Sequence, residues 1–363
     1  MRHRLLTFLL LALLIPAGLA YGAEKVILDT DMVEGFDDGA AMIMLARAPN
    51  IELMGVTTVA GNSWVPEGTA YAIKQLEMAG RKIPVTSGTT RPLRPHRYEN
   101  FEVERWQFGL GPNAWVGAFN HAEPASWLDV FRKRYGQEPG VSPDSRHSVE
   151  FIIQTVRKNP GQITIVVLGP VTNLALAVRQ APDIVPLVKR VIYMGGTFNH
   201  DGNVTSTAEF NWWFDPEAAR IAVRTPFKEQ VLISLDLSEN VPFSKEHFNQ
   251  LLSALGKRPA AALLRATSAG RNFIHNPGFE TTAKEVIAAA VIIEPGLITK
   301  TKRGHVDVNA DYGLAYGQSI LFAEGSAPIG AQPFNIITEI NQEGFWRLVC
   351  DPKYWGEEPA VQP

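Results

Sequence analysis

The chain of 363 residues has a single cysteine, Cys350. It therefore cannot close an intramolecular disulfide or build a cysteine-based zinc site. It lacks a Lys/Arg run, and its formal charge is only −3. A nucleic-acid binder would more often carry a basic patch or stripe. Beyond the N-terminus no segment reads as a membrane span. No Pro/Ser/Gly-rich linker divides the chain, and no internal repeat is evident. Apolar residues make up 45% and charged residues 20%, which permits a sizeable core. The length allows one large domain or two ordinary ones; without a linker, one is favoured.

The N-terminus has the layout of a secretory signal peptide. Arg2, His3 and Arg4 precede an apolar run from Leu5 to Ile15, and Pro16 to Ala23 is rich in small residues. The run is too short to span a bilayer comfortably. Cleavage after Ala20 or Ala23 fits; an uncleaved anchor is the alternative. The expectation is a secreted or periplasmic protein with residues 1–23 removed and one domain over 24–363.

One stretch stands out, Val26-Ile-Leu-Asp-Thr-Asp-Met-Val-Glu-Gly-Phe-Asp-Asp-Gly-Ala-Ala40. Four aspartates (Asp29, Asp31, Asp37, Asp38) fall within ten residues, between an apolar strand and an apolar helix. Carboxylates this close repel one another unless a positive group sits among them. A hard divalent cation with oxygen ligands is the simplest candidate. The plainer account, Asp37 capping the next helix and Asp29 ending the strand, handles two acids and leaves two.

Downstream, strands alternate with helices. Ile51–Val59, Ile83–Ser87, Gln162–Leu168, Arg190–Met194 and Gln230–Leu235 read as strands. Helices are expected at Ala40–Ala46, Pro66–Ala79, Val149–Arg157, 174–180, after Asp215-Pro216, over much of 244–275, at Thr282–Ile293 and near Glu343–Val349. From about His305 the pattern suggests shorter strands. Alternation of this kind predicts an α/β fold with a mainly parallel sheet. In such sheets ligands bind beyond the carboxyl ends of the strands, where the acid loop lies. Residues 88–146 are irregular and aromatic, containing Trp106, Phe108, Trp115, Phe119, His121 and Trp127. They read as a lid or binding loop, or as a surface excursion with its own aromatic cluster.

Other polar groups also follow strands. Asn62 could serve a sugar hydroxyl or a plain turn. Leu168 offers a strand-end carbonyl, and Asn173 could pack or cap. Asn203, Glu209 and Asn211 could grip a polyol or be solvated. Glu285 sits in the first turn of a helix, where a carboxylate also suits the dipole.

Taken together, Asp29-Thr-Asp31 with Asp37-Asp38, Thr57-Thr-Val-Ala-Gly-Asn62, Leu168-Gly-Pro-Val-Thr-Asn173, Met194-Gly-Gly196, Asn203 with Ala208-Glu-Phe-Asn211, and Asp215-Pro-Glu-Ala218 occur in this order. The sequence resembles the inosine–uridine-preferring nucleoside N-ribohydrolase family from about Lys25 to at least Asp307. The resemblance implies a single-domain, open, mostly parallel sheet with a Rossmann-like core and helices on both faces. It implies an exported hydrolase that cleaves the N-glycosidic bond of ribonucleosides to ribose and free base. A calcium-bound water would attack, with Asp31 as general base. By position, Asp31, Asp38, the Leu168 carbonyl and Glu285 correspond to metal ligands. Asp37, Asn62, Met194, Asn203, Glu209 and Asn211 correspond to residues that hold the ribose. A nucleoside is the implied partner; self-association is expected by analogy only.

The chain departs from the family pattern in three ways. Five residues separate Asp31 from the acid pair, as in a longer-loop subgroup. Glu285 stands where the family has an aspartate, and Lys284 where purine-active members have a histidine. The family's first-lid His-Gly segment is not recognisable in 96–121. Stacking of the base on Trp106, Trp115 or Phe279, and proton donation by Lys284, His121 or His275, stay open. A pocket that binds ribose or nucleoside without turnover is the rival reading.

Overall fold

The computed structural model describes residues 22–111 and 114–357. The proposed signal peptide lies almost wholly outside the described residues. The strands are β1 (Glu24–Thr30), β2 (Ile51–Thr58), β3 (Val85–Ser87), β4 (Ile163–Val167), β5 (Val188–Met194), β6 (Gln230–Ile233), β7 (Pro242–Phe243), β8 (Thr281–Thr282), β9 (Ile298–Val308), β10 (Ser319–Phe322) and β11 (Gln332–Ile340). Nine form one sheet in the order β10-β9-β11-β6-β5-β4-β1-β2-β3. From β3 across to β11 the neighbours run parallel; β9 is antiparallel to both β11 and β10. β7 and β8 make a separate two-stranded ribbon.

The order of strands places the site. From β1 the chain moves one way to β2 and β3, then returns to β4 on the other side of β1 and proceeds to β5 and β6. The β1/β4 junction is therefore a topological switch point, the place beyond the strand ends where open α/β sheets bind ligands. The acid loop follows β1, and Leu168 follows β4.

Alternating side chains of these strands feed two cores. Val26 and Leu28 of β1, Val166 of β4 and Ile192 of β5 pack on one face, with the helices Asp38–Arg47, Val65–Met78 and Glu285–Ile293. Ile27, Ile165, Val167 and Val191 pack on the other, with the helices Ser148–Lys158, Thr172–Gln180 and Pro216–Val223. The helix Glu285–Ile293 is buried on every side, as its continuous apolar sequence demands. The whole is a single domain with a mostly parallel central sheet and helices on both faces. Among the described residues no helix is long and apolar enough to cross a membrane.

Two regions differ from expectation. Among the described residues, 88–146 contain two α-helices, Phe101–Gln107 and Trp127–Tyr135, and a 3-10 turn at Gly117–Asn120. The first belongs to a third core in which Phe101, Phe119 and Trp64 pack with Phe210, Trp213 and Phe214 of a later loop. The aromatic cluster is thus shared with the 203–214 segment. In the C-terminal region β10 is short, at 4 residues, as expected, whereas β9 spans 11 residues and β11 spans 9.

Candidate active site

Asp31 lies just beyond β1 at the switch point. It is fully buried, and its Oδ2 accepts the Asn62 backbone N–H at 2.6 Å. Two glycines make room for it. A Cβ on Gly61 would lie 2.2 Å from Asp31 Oδ2, and one on Gly169 would lie 2.7 Å from the Asp31 nitrogen and 2.8 Å from Oδ1. The loops after β1, β2 and β4 therefore close on one carboxylate. Its Oδ1 is buried without a hydrogen-bond partner.

The other acids surround it. Asp38 is buried and accepts from Thr30 Oγ1 at 2.5 Å. Glu285 begins its helix, buried, within electrostatic reach of Asp37 and Asp38. Asp37 joins the two segments. Its Oδ2 accepts from the backbone nitrogens of Lys284 (2.6 Å) and Glu285 (3.1 Å), and its Oδ1 from that of Val286 (2.7 Å). It caps a helix, but one about 250 positions away rather than the one it precedes. The carboxylate expected to face sugar hydroxyls is thus occupied by backbone N–H groups, whose partial positive charge attracts it. Asp29 is structural in its contacts: its Oδ1 accepts from Thr57 Oγ1 (2.6 Å) and Asn173 Nδ2 (2.8 Å). Asn173 is thereby a packing bridge that also holds Thr89.

The opposite wall comes from the loop before Asp215. Glu209 is buried and caps the short helix Phe210–Phe214, accepting from the Asn211 and Gly196 nitrogens at 2.8 and 2.9 Å. Asn211 Nδ2 donates to the carbonyls of Leu168 (2.9 Å) and Met194 (3.1 Å), tying the ends of β4 and β5 together. Its Oδ1, like Asp31 Oδ1, is buried and unpartnered. Asn203 is exposed, and its Oδ1 accepts from the Phe210 nitrogen at 2.8 Å. Asn62 is half-buried and its Oδ1 accepts from Trp115 Nε1 at 2.8 Å.

Burial dominates the electrostatics. It pushes Asp38 and Glu209 each up to about 7. Burial also raises Asp31, and the neighbouring charge of Asp38 raises it further; Glu285 is raised by burial and then by Asp37 and Asp38. Such a cluster resists full ionisation without a cation. Lys284 is the nearby positive side chain, but its Nζ is engaged by Thr282 Oγ1 (2.5 Å) and Glu239 Oε1 (3.1 Å).

Among the described residues no three His, Cys, Asp or Glu side chains are arranged as a ready metal centre. The donors present are nevertheless hard oxygens: carboxylates, the Leu168 carbonyl, and the unpartnered buried oxygens Asp29 Oδ2, Asp31 Oδ1 and Asn211 Oδ1. That chemistry suits a hard divalent cation.

Of the residues weighed for the leaving base, Trp115 reaches Asn62 through its ring nitrogen and Lys284 reaches Asp37 through its backbone nitrogen. Trp106 is 81% exposed, and Phe279 packs edge-on to Phe273. His121 Nε2 lies 3.0 Å from Glu67 Oε2, and His275 is exposed. Sequence reasoning passed over Thr30, Gly169, Gln75 and Glu34. Thr30 and Gly169 carried a signal, as parts of the Asp29-Thr-Asp31 and Leu168-Gly-Pro-Val-Thr-Asn173 motifs.

Residues 26–347 match the family model described as inosine-uridine preferring nucleoside hydrolase. The chain belongs to that family. It is 30% identical to the pyrimidine-specific ribonucleoside hydrolase RihB of Escherichia coli over 334 residues, 90% of this chain and 96% of that one. It is equally 30% identical to the inosine-uridine preferring nucleoside hydrolase of Leishmania major over 332 residues, again 90% and 96%. The fold is similar to that of a plant nucleoside hydrolase, PpNRh1, with a TM-score of 0.73 and 25% identity over 91% of this chain and 99% of that one. The protein is accordingly an enzyme, a nucleoside N-ribohydrolase, which hydrolyses the N-glycosidic bond of ribonucleosides. Nucleoside hydrolases are metal-dependent.

Proposed function

We propose that this nucleoside hydrolase is exported and calcium-dependent, and that Asp31 is the general base for the attacking water. The observation that carries the reading is Asp31 itself. One carboxylate oxygen is fixed by the Asn62 N–H, and the other is buried with no protein partner at the switch point of the sheet.

In this reading Asp31, Asp38, the Leu168 carbonyl and Glu285 hold the metal. Calcium there supplies Lewis acidity and lowers the pKa of water. Asp31 Oδ1 accepts the proton released as water attacks the anomeric carbon. The C–N bond breaks with its electron pair leaving on the base, which must gain a proton. The transition state resembles an oxocarbenium ion, as in glycoside hydrolysis. Glu209 and Asn211, immobilised by their own backbone bonds, face the sugar with Met194; Asn62 and Asn203 close its rim. Interactions with the ribose, remote from the breaking bond, then lower the barrier. Asp37 locks the helix carrying Glu285 onto the acid loop. Trp115, joined to Asn62, is the aromatic residue best placed to cover the base.

The test is release of reducing sugar from a panel of purine and pyrimidine nucleosides with calcium present. Asp31→Ala should lower it by about 10²–10⁴-fold, the usual worth of a general base. Undiminished release from Asp31→Ala would sink the assignment.

A further inference from the structure

Five residues, Met32 to Phe36, separate Asp31 from Asp37 and Asp38. Left free, such a loop would let the two parts of the carboxylate cluster move independently. It is instead held from three directions. Gln75, fully buried in the helix Val65–Met78, accepts from the Gly35 nitrogen through Oε1 at 2.8 Å. Its Nε2 donates to the Val33 carbonyl and to the Tyr71 carbonyl, each at 3.2 Å. Gly39, directly after Asp38, packs so closely on this amide that a Cβ there would lie 1.9 Å from Oε1. Between the two residues that Gln75 holds, Glu34 turns to the helix Trp127–Tyr135 and accepts from the Tyr135 hydroxyl and the Arg134 guanidinium. Gly35, at φ +72°, rests against Thr267 and Leu264.

We propose that Gln75 is a positioning residue for the hydrolysis, which with the Glu34–Tyr135 contact sets the separation of Asp31 from the Asp37-Asp38 pair. It touches neither substrate nor metal and acts through the loop. The proposal rests on the reading of the acid loop as the catalytic and metal-holding element. Its physical basis is twofold. A buried amide that satisfies both Gly35 N–H and Val33 C=O leaves them unpaired when removed. A displacement of about 1 Å in a catalytic group can cost about 10²-fold in rate.

The experiment compares wild type, Gln75→Met, Tyr135→Phe and the double variant as full chains. Gln75→Met keeps the volume and removes the loop hydrogen bonds with the Gly35 nitrogen, the Val33 carbonyl and Met32 Sδ; Tyr135→Phe removes one hydroxyl. Two readouts are used: kcat and KM for nucleoside hydrolysis, and the calcium dissociation constant from titration calorimetry. Gln75→Met should lower kcat by about tenfold or more with KM nearly unchanged, and should weaken calcium binding by about fivefold, on the scale of a sub-ångström displacement. The double variant should lose less than the product of the single losses, because both contacts act on one loop. A folded Gln75→Met with wild-type kcat and wild-type calcium affinity overturns the proposal, whatever its melting temperature. If Gln75→Met does not fold, Tyr135→Phe decides by the same readouts. If wild type releases no ribose from any nucleoside, the reading of the site fails, while the calcium affinities still judge Gln75.

Discussion

Asp31 sits where a side chain on either adjoining loop would strike it. Gly169→Ala adds a methyl group 2.8 Å from Oδ1, so the carboxylate must shift. Ribose release should fall by about 10²-fold if the shift approaches 1 Å, while the urea midpoint should drop by an amount equal to about 1–3 kcal/mol. Unchanged kinetics would show that the carboxylate's position is not critical. Asp215 illustrates a buried acid outside the cluster. It caps its helix through the Ala218 nitrogen and also accepts from Thr172 and the Leu93 nitrogen, yet burial pushes it up to about 6. Its folded-state pKa therefore lies above the ordinary aspartate value. The folded protein takes up a proton that the unfolded chain does not as pH falls from 6 to 4, so this group favours folding more at the acid end. Relative to Asp215→Asn, wild type should gain stability over that interval; urea unfolding at pH 4, 5, 6 and 7 measures it. The cap itself was readable, since Asp before Pro is a local signal. The elevated pKa was not, because it comes from what surrounds the residue.

The 88–146 segment shows what an element can conceal. Its sequence lacks periodicity because its stability comes from one buried ion pair and from rings contributed by another segment. Arg97 and Glu104 are both without exposure and are joined at 2.9 and 2.7 Å. Arg97 also donates to the carbonyls of Trp213 and Phe214 and lies over the Trp213 ring. Arg97→Met would strand a buried carboxylate and release the 210–214 turn, a change expected to cost about 3–5 kcal/mol. Chemical unfolding measures this, and a loss below 1 kcal/mol would contradict the account. β9 was obscure for a different reason. Its first half is exposed and carries Lys300, Lys302 and Arg303; backbone pairing with β11, rather than burial, makes it a strand. The helix Glu285–Ile293 was plain from its apolar run. That its N-terminus is capped by Asp37 was invisible, because the partner is 247 positions from Lys284.

At the scale of the molecule, the reversal of strand order sets the Leu168 loop beside the acid loop, the Asp37 cap brings Glu285 to it, and burial leaves the acids short of positive charge. A cation that binds only the folded state should stabilise it. Calcium at 100 times its Kd should add about 2.7 kcal/mol, seen as a higher melting temperature that chelation reverses. No shift with calcium, and none with other divalent ions, would argue against a metal at this site. The N-terminal reading is tested separately. Protein recovered from the periplasm or medium should begin at Tyr21 or Glu24; an intact Met1 would contradict cleavage.

What the sequence determined by itself is local and repetitive. Continuous apolar runs specified the buried parallel strands, and closely spaced aspartates marked a loop needing positive charge. Six ordered motifs, each short and contiguous, carried the family. The tertiary structure decided what each acid does. Asp29 is bonded to Thr57 and Asn173 through one oxygen, Asp37 caps a distant helix, and Asp31 takes the Asn62 N–H through one oxygen, Asp29 and Asp31 each keeping one buried oxygen without a partner, because hydrogen-bond partners for a buried carboxylate are chosen by which loops the sheet brings together.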